Sequence, residues 1–146
     1  MNASAHCSCG EVQLTVSGNP VVQLVCHCKE CQDFTGYRFV RGAFFKKEDC
    51  RIEGQTLVAT LVGGTGAEKL HHSCKSCGEP VYVQVKALNG AVAILADKLS
   101  PFEFAAEAHI WTSQKADGTE IPPELPQSPG APPEDLVERM INGFWK

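Results

Sequence analysis

The chain has 146 residues, of which 43% are hydrophobic and 21% are charged, and its formal net charge is -4 at pH 7. This length and composition are typical of one soluble globular domain that buries a core without disulfide bonds. The acidic balance argues against a nucleic-acid partner, and no apolar run is long enough to cross a membrane.

Strand patterns dominate the chain as far as residue 112. Residues 11–17 alternate polar and apolar side chains, which predicts a strand with one buried face. Other segments are rich in β-branched and aromatic residues and predict strands at 21–25, 38–45, 56–62, 81–85 and 91–96, while 103–111 could close the sheet. Asn89-Gly90 predicts a hairpin between 81–85 and 91–96, and residues 63–66 predict another turn. The sequence therefore predicts a mainly β fold.

The composition changes after Thr112. Six of the nine prolines lie between Pro122 and Pro133, which predicts an extended surface segment without regular structure. We expect a single domain over residues 1–146, with a core at about 5–112, a Pro-rich extension at 113–133 and a C-terminal helix at 134–145.

The C-terminal helix is predicted from one apolar stripe. Leu136, Met140 and Phe144 recur every four residues, with Val137 and Ile141 beside them. We favour a helix docked on its own domain over a helix that binds a partner, because packing supplies most of a short helix's stability.

Seven of the eight cysteines fall into three short clusters: Cys7 and Cys9; Cys26, Cys28 and Cys31; and Cys74 and Cys77. The N-terminus does not resemble a signal peptide, so we expect a cytoplasmic protein with reduced thiols. In such a protein clustered cysteines indicate metal ligands rather than disulfides. A Cys-x-Cys pair on extended backbone also aims both sulfurs to one side, where a mutual bridge would be strained.

The two pairs together supply four thiolates, the closed set that a structural zinc prefers, and they comprise Cys7, Cys9, Cys74 and Cys77. A glycine follows each pair and lets the backbone turn so that amide groups point at sulfur. Joining two such turns would fasten the first strand to the middle of the chain. A site of this kind stabilises small zinc modules by on the order of 10 kcal/mol.

The remaining cluster supplies only three thiolates and predicts a second, open zinc site. Cys26 and Cys28 are two apart at a strand end, so their sulfurs share a face, and Cys31 returns on a turn that ends near Gly36. His27 lies between them and points the other way, so we favour a supporting or exposed histidine over a ligand. A thiolate-rich zinc is suited to taking a fourth sulfur and keeping it nucleophilic. The chemistry implied is addition of a thiol to a small electrophile, or the reverse.

The segment from Cys26 to Gln32, followed by Thr35-Gly36, resembles the signature of the glutathione-dependent formaldehyde-activating (GFA) enzyme family. Four further segments are similar to other motifs of this family, and they are residues 7–12, 74–78, 108–111 and 125–127. The resemblance covers roughly residues 5–130.

The resemblance implies a β-tent fold of short antiparallel sheets held by two zinc ions. It implies a structural zinc on Cys7, Cys9, Cys74 and Cys77, and a catalytic zinc on Cys26, Cys28 and Cys31. The activity implied is that of a carbon–sulfur lyase, which joins glutathione and formaldehyde into S-hydroxymethylglutathione or splits this adduct.

Several other residues allow two interpretations each. Cys50 is the odd thiol, which we expect at a strand edge with a pKa raised by the adjacent acids. His71 and His72 could reach a metal, but supporting or solvent-facing positions are favoured. His109 is either a pocket residue near the open zinc or a core histidine. Four basic side chains could attract a carboxylate-bearing thiol or simply form a solvated face, and they are Lys29, Arg38, Arg41 and Lys46.

Two classes of function remain in competition. The first is a zinc enzyme acting on a small thiol, such as glutathione, and a small aldehyde. The second is a non-catalytic zinc-stabilised module that binds a protein or a small molecule. A methionine sulfoxide reductase is disfavoured because no cysteine follows Cys77 to act as its nucleophile.

Overall fold

The computed structural model describes residues 2–62 and 66–145. The described residues form ten strands and two α-helices: β1 Asn2–His6, β2 Gln13–Ser17, β3 Val22–Cys26, α1 Lys29–Thr35, β4 Val40–Phe45, β5 Cys50–Glu53, β6 Thr56–Val62, β7 Glu68–Cys74, β8 Pro80–Val85, β9 Ala91–Leu95, β10 Ala108–Ile110 and α2 Glu134–Trp145. The mainly β fold with a short C-terminal helix is confirmed. Residues 63–65 of the predicted turn lie outside the described residues.

The strands pair into two sheets. One sheet has the order β1-β2-β5, and the other has the order β10-β3-β4-β9-β8-β7-β6. The pairs are antiparallel except at one edge, where the short β10 runs parallel to β3. The hairpin predicted at Asn89-Gly90 joins β8 to β9, with Asn89 in the left-handed region at φ 55°.

Three strands were missed by sequence reasoning because their buried side chains are not large aliphatic ones. In β1 the buried positions are Ala3 and Ala5, and in β7 they include His71 and His72. β5 is short and has no fully buried residue. A pattern search that relies on β-branched and aromatic residues passes over such strands.

Two apolar clusters hold the layers together. One lies between the two sheets, where Leu14 and Val16 of β2 pack with Phe45 of β4 and Ile94 of β9. The other lies on the far face of the larger sheet, where α2 packs Leu136, Met140 and Phe144 on strands β3 and β10. The helix is therefore docked on its own domain, as its apolar stripe predicted. Neither helix in the described part of the chain has the length and hydropathy that crossing a bilayer requires.

Gly54, between β5 and β6, is the glycine at which a side chain would be most disruptive. Its φ is +100°, and a Cβ there would lie 2.0 Å from the Glu11 carbonyl oxygen. We expect Gly54→Ala to lower the free energy of unfolding by about 3 kcal/mol or more, because backbone strain and a backbone clash add. Urea unfolding measures the loss. The control is Gly18→Ala, where φ is +76° but the nearest atom is 4.0 Å away, and it should cost about 1 kcal/mol. Equal losses would contradict the close approach.

Candidate metal centres

The two cysteine pairs come together in space as one group of four. The sulfurs of Cys7, Cys9, Cys74 and Cys77 all lie within 4.8 Å of one another. Cys7 and Cys9 are 3.5 Å apart, and Cys9 and Cys74 are 3.6 Å apart. Four sulfurs around a tetrahedral zinc would be about 3.8 Å apart, whereas a disulfide needs about 2.05 Å. All eight cysteines are free thiols, so the spacing fits a metal ion and not a bridge.

The group of four joins the two sheets. Cys7 follows the end of β1 and Cys9 lies in the turn to β2, within the smaller sheet. Cys74 ends β7 and Cys77 lies in the turn to β8, within the larger sheet. Each pair therefore occupies one hairpin turn, and a shared ion would fasten one sheet to the other.

Each turn is closed by its glycine. Gly10 and Gly78 have φ values of 80° and 76°, in the left-handed region that glycine adopts without strain. The Gly10 N–H donates to the Cys7 carbonyl oxygen at 3.0 Å, and the Gly78 N–H donates to that of Cys74 at 2.8 Å. These bonds turn the chain back so that the second cysteine of each pair meets the first.

Backbone amides also point at the sulfurs, as the sequence predicted. The N–H groups of Val12 and Cys77 donate to the sulfurs of Cys7 and Cys74 at 3.3 Å and 3.5 Å. Although burial opposes the change, the Val12 N–H and the neighbouring thiols lower the pKa of Cys7 to about 6. The turn therefore favours the thiolate form at Cys7, which a metal ion requires of its ligand.

Glu79 ties the same two turns together outside the sulfur group. Its carboxylate accepts hydrogen bonds from the Ser8 N–H in the first turn and from the Lys98 ammonium. The bond from Lys98, followed by that from Ser8, lowers the pKa of Glu79 to about 2. Glu79 therefore stays ionised at neutral pH and supports the junction between the sheets.

The three remaining clustered cysteines form a second group at the end of β3. Cys26 and Cys28 have sulfurs 3.3 Å apart, and those of Cys31 and Cys26 are 3.6 Å apart. All three lie within 4.8 Å of one another, and no fourth Cys, His, Asp or Glu of the described residues joins them within that distance. This group, called the trio below, therefore has the right spacing for a metal ion and leaves one tetrahedral position without a protein ligand.

We predicted that Cys31 lies on a turn that ends near Gly36, whereas the structure places it in the first turn of helix α1, which does end at Gly36. Cys28 is the N-cap of α1, and its sulfur accepts the Cys31 N–H at 3.4 Å. Gly36 ends the helix in the left-handed region at φ 77°. A helical turn brings residues three apart onto one side, so Cys28 and Cys31 face the same point. The correction has a physical reason, since a thiol can cap a helix as an oxygen side chain does.

The sulfurs of the trio share their protons unequally. Hydrogen bonds from Cys26 and then from Cys31 lower the pKa of Cys28 far below that of a free thiol. The same contacts raise the pKa of Cys31, because a second negative charge would lie beside the first. Full deprotonation therefore needs a cation, and a divalent metal would supply it.

His27 and His109 form a buried pair beside the trio. The His27 ring is 1% exposed, and its Nε2 lies 3.1 Å from Nδ1 of His109. The backbone N–H of His27 donates to the Ile110 carbonyl oxygen at 3.0 Å, and this bond links the end of β3 to β10. His109 is 8% exposed and stacks on His27, with 5.3 Å between ring centroids. The role of His109 as a pocket residue stays a prediction.

A glutamine pair holds the peptide between the cysteines in place. The Gln32 amide donates to the His27 carbonyl oxygen at 2.8 Å and to the Gln114 carbonyl oxygen at 2.9 Å. The Gln114 side chain in turn accepts the Lys29 N–H at 2.8 Å. The start of the Pro-rich extension therefore supports the trio, which its composition did not indicate.

The four basic residues that could attract a carboxylate-bearing thiol are partly committed to other contacts. Arg41 makes an ion pair with Asp97 at 3.3 Å, and Arg38 donates to the Asp117 carbonyl oxygen at 2.8 Å. Lys29 is exposed, and Lys46 is half-buried beside β4. The two arginines are therefore engaged in contacts within the protein, and the Lys29 side chain is exposed to solvent.

Cys50 lies away from both groups. It begins β5 and packs against the core between the sheets. Burial, followed by the charges of Asp49 and Glu48, raises its pKa to about 12. The direction predicted from the adjacent acids is confirmed, with burial as the larger cause. Cys50 is a protonated packing residue at neutral pH.

The helix that carries part of the trio packs against β7, a relation that sequence reasoning did not find. Lys69 lies 3.9 Å from the Glu30 carboxylate of α1, and the His71 ring meets the ring of Phe34 edge-on at 4.7 Å. Lys69 and His71 are two residues apart on β7, and residues at this spacing share one face of a strand. This spacing was the one sequence signal that could have placed both side chains on the same face.

Comparison with known proteins agrees with this architecture. A model of the glutathione-dependent formaldehyde-activating enzyme family matches residues 2–114. A crystal structure of a Rhodobacter sphaeroides protein from structural genomics superposes with a TM-score of 0.51 and 21% identity, over 68% of this chain and 90% of that one. This likeness shows the fold alone. No curated protein gives a significant match. Because the family match spans most of the chain and includes both cysteine groups, the chain belongs to the glutathione-dependent formaldehyde-activating enzyme family.

Proposed function

We propose that this protein is a zinc enzyme that forms and breaks the carbon–sulfur bond between glutathione and formaldehyde, a carbon–sulfur lyase in the breaking direction. The observation that carries the proposal is the trio, in which three cysteine sulfurs lie within 4.8 Å of one another. A structural site would need a fourth protein ligand, whereas a site that binds a thiol needs a free position.

Zinc is the metal that best suits both groups. Their donors are thiolates alone, which favour zinc over the hard cations that prefer oxygen. We therefore propose two zinc ions per chain, one structural and one catalytic. When bound at the trio, zinc would hold an incoming thiol as its thiolate at neutral pH.

The protein's own contribution is to position the two reactants and to exclude water. The start of α1 fixes Cys28 and Cys31 on one side, and β3 holds Cys26 opposite them. Phe34 and the buried His71 close the side towards β7. A thiol held among these groups would meet a small aldehyde in one orientation, which lowers the entropic cost of the encounter.

The eight free cysteines support a reducing compartment, and we propose the cytoplasm. Glutathione and small aldehydes are the partners proposed there. The runner-up, a zinc-stabilised binding module, differs in one respect, because its second zinc would be inert towards thiols.

Glutathione titration of zinc-loaded protein tests the proposal. We expect glutathione to bind one site per chain, and ¹³C-formaldehyde added afterwards to be converted to the hydroxymethyl thioether faster than in protein-free buffer. Calorimetry follows the binding, and ¹³C NMR follows the adduct. The matched control is Cys50→Ser, a thiol outside both groups, which should behave as wild type. Absence of glutathione binding to fully loaded protein would refute the enzyme and favour the module.

A further inference from the structure

One face of β7 is directed at the helix that carries the trio. Glu30 and Phe34 lie one helical turn apart on α1, with Cys31 between them in the sequence. Glu30 contacts Lys69 at 3.9 Å, and Phe34 contacts the His71 ring at 4.7 Å with the ring planes at 89°. These two contacts show that Lys69 and His71 face α1. The strand therefore packs against the helix whose first turn carries Cys31.

His71 is buried without a polar partner. It is 2% exposed, and neither of its ring nitrogens has a hydrogen-bond partner among the described residues. An unpaired buried polar group costs about 1–3 kcal/mol, and such groups are rare in native proteins. An orphan of this kind, beside a candidate reaction site, indicates a group that meets its partner only when a substrate is present.

The neighbouring His72 shows that the strand can satisfy a buried histidine. Its Nδ1 lies 2.8 Å from the Thr56 hydroxyl, and its Nε2 lies 2.9 Å from the Gln84 side-chain oxygen. Its ring also stacks on Tyr82 at 4.1 Å. His72 therefore has both ring nitrogens paired on the other face of β7, whereas His71 has neither paired. The buried His27 leaves only its Nδ1 unpaired, because its Nε2 meets His109.

Burial and neighbouring charges both act on the pKa of His71. Burial lowers the pKa of His71, the charge of Lys69 lowers it further, and the Cys28 thiolate acts in the opposite direction. At neutral pH the imidazole is uncharged, so one of its nitrogens can accept a proton.

We propose that His71 is the proton-transfer residue of the reaction at the trio: it accepts the proton of the incoming thiol and returns it to the aldehyde oxygen. The proposal rests on the proposed function and names the residue that completes its chemistry. Phe34 is a positioning residue, because its ring packs edge-on against that of His71, and the Lys69–Glu30 ion pair joins the same strand to α1.

The step balances without another reactant. The thiol S–H bond breaks and its proton moves to the ring nitrogen of His71, leaving a thiolate and an imidazolium. The thiolate sulfur then bonds to the carbonyl carbon, and the π electrons of the C=O bond move to oxygen. The imidazolium returns the proton to that oxygen, which becomes the hydroxyl of the adduct. In the breaking direction the same atoms move in reverse.

The test compares His71→Gln with His72→Gln in zinc-loaded protein supplied with glutathione and formaldehyde. Glutamine keeps a polar side chain but does not accept a proton near neutral pH. We expect His71→Gln to lower kcat at least tenfold with KM for glutathione within twofold of wild type, because the glutamine amide can still hydrogen-bond the bound thiol but cannot transfer its proton. The acidic limb of the pH–rate profile should disappear with it. His72→Gln should keep the wild-type kcat and pH profile, although it should melt at a lower temperature because the ring's bonds to Thr56 and Gln84 are lost. Both variants should keep two zinc ions, and His71→Gln should keep the wild-type melting temperature.

A second readout does not depend on turnover. In protein labelled with ¹⁵N-histidine, the His71 ring resonances should shift when glutathione is added, and this shift should be absent in Cys31→Ser. A His71→Gln variant with wild-type kcat and pH profile would overturn the His71 proposal alone, as would ring resonances that do not respond to glutathione. A wild-type protein that binds glutathione but forms no adduct above the protein-free rate would overturn the proposed function and the His71 step together.

Discussion

Cys77→Ser should remove most of the stability of this protein. Cys77 belongs to the group of four sulfurs that joins the β1–β2 turn of one sheet to the β7–β8 turn of the other. A structural zinc contributes on the order of 10 kcal/mol in small modules, which is comparable to the roughly 5–15 kcal/mol that stabilises a whole domain. We expect one zinc ion per chain instead of two and a collapse of the thermal transition, measured by metal analysis and circular dichroism.

The control for this substitution is Cys50→Ser. It also replaces a cysteine thiol by a hydroxyl, at a site that packs against the core but belongs to neither group. We expect Cys50→Ser to retain both zinc ions and to cost about 1 kcal/mol, as single substitutions of this kind do. If Cys77→Ser melted at the same temperature as Cys50→Ser, the group of four would not be what holds the two sheets together.

Cys31→Ser should have the opposite profile, with the fold retained and the activity lost. The trio lies at the end of β3 and the start of α1, within the larger sheet, and does not join it to the smaller one. Without Cys31 two sulfurs remain, too few to hold zinc firmly. We expect one zinc ion per chain, a melting temperature within about 5 °C of wild type for a loss near 1 kcal/mol, and no adduct formation above the protein-free rate.

The measurements for Cys31→Ser are metal analysis, calorimetric melting and ¹³C NMR of the formaldehyde adduct. Its comparison with Cys77→Ser decides whether the two sites have separate tasks. Unfolding of Cys31→Ser as severe as that of Cys77→Ser would show that both ions are structural. Full activity of Cys31→Ser would show that the reaction does not take place at the trio.

Local features of the sequence determined a large part of this structure. Spacing identified each cysteine pair and the trio, because their members lie within one turn of the chain, and the preference of a structural zinc for four thiolates predicted that the two pairs meet. The period of Leu136, Met140 and Phe144 located α2 at Glu134–Trp145, since a helix buries every third or fourth residue. Asn89-Gly90 likewise located the β8–β9 hairpin, because both residues accept positive φ.

Only the tertiary structure decided which distant elements meet. The parallel pairing of β10 with β3 and the position of β7 opposite α1 depend on sheet order, which no local pattern encodes. The sequence did not predict β7, because its buried side chains include histidines, which a pattern of alternating hydrophobic residues does not include. His71 gained its place beside the trio from this long-range packing. The cysteine groups that could hold metal ions could therefore be read from the sequence, whereas the group proposed to move the proton became visible only in the folded chain.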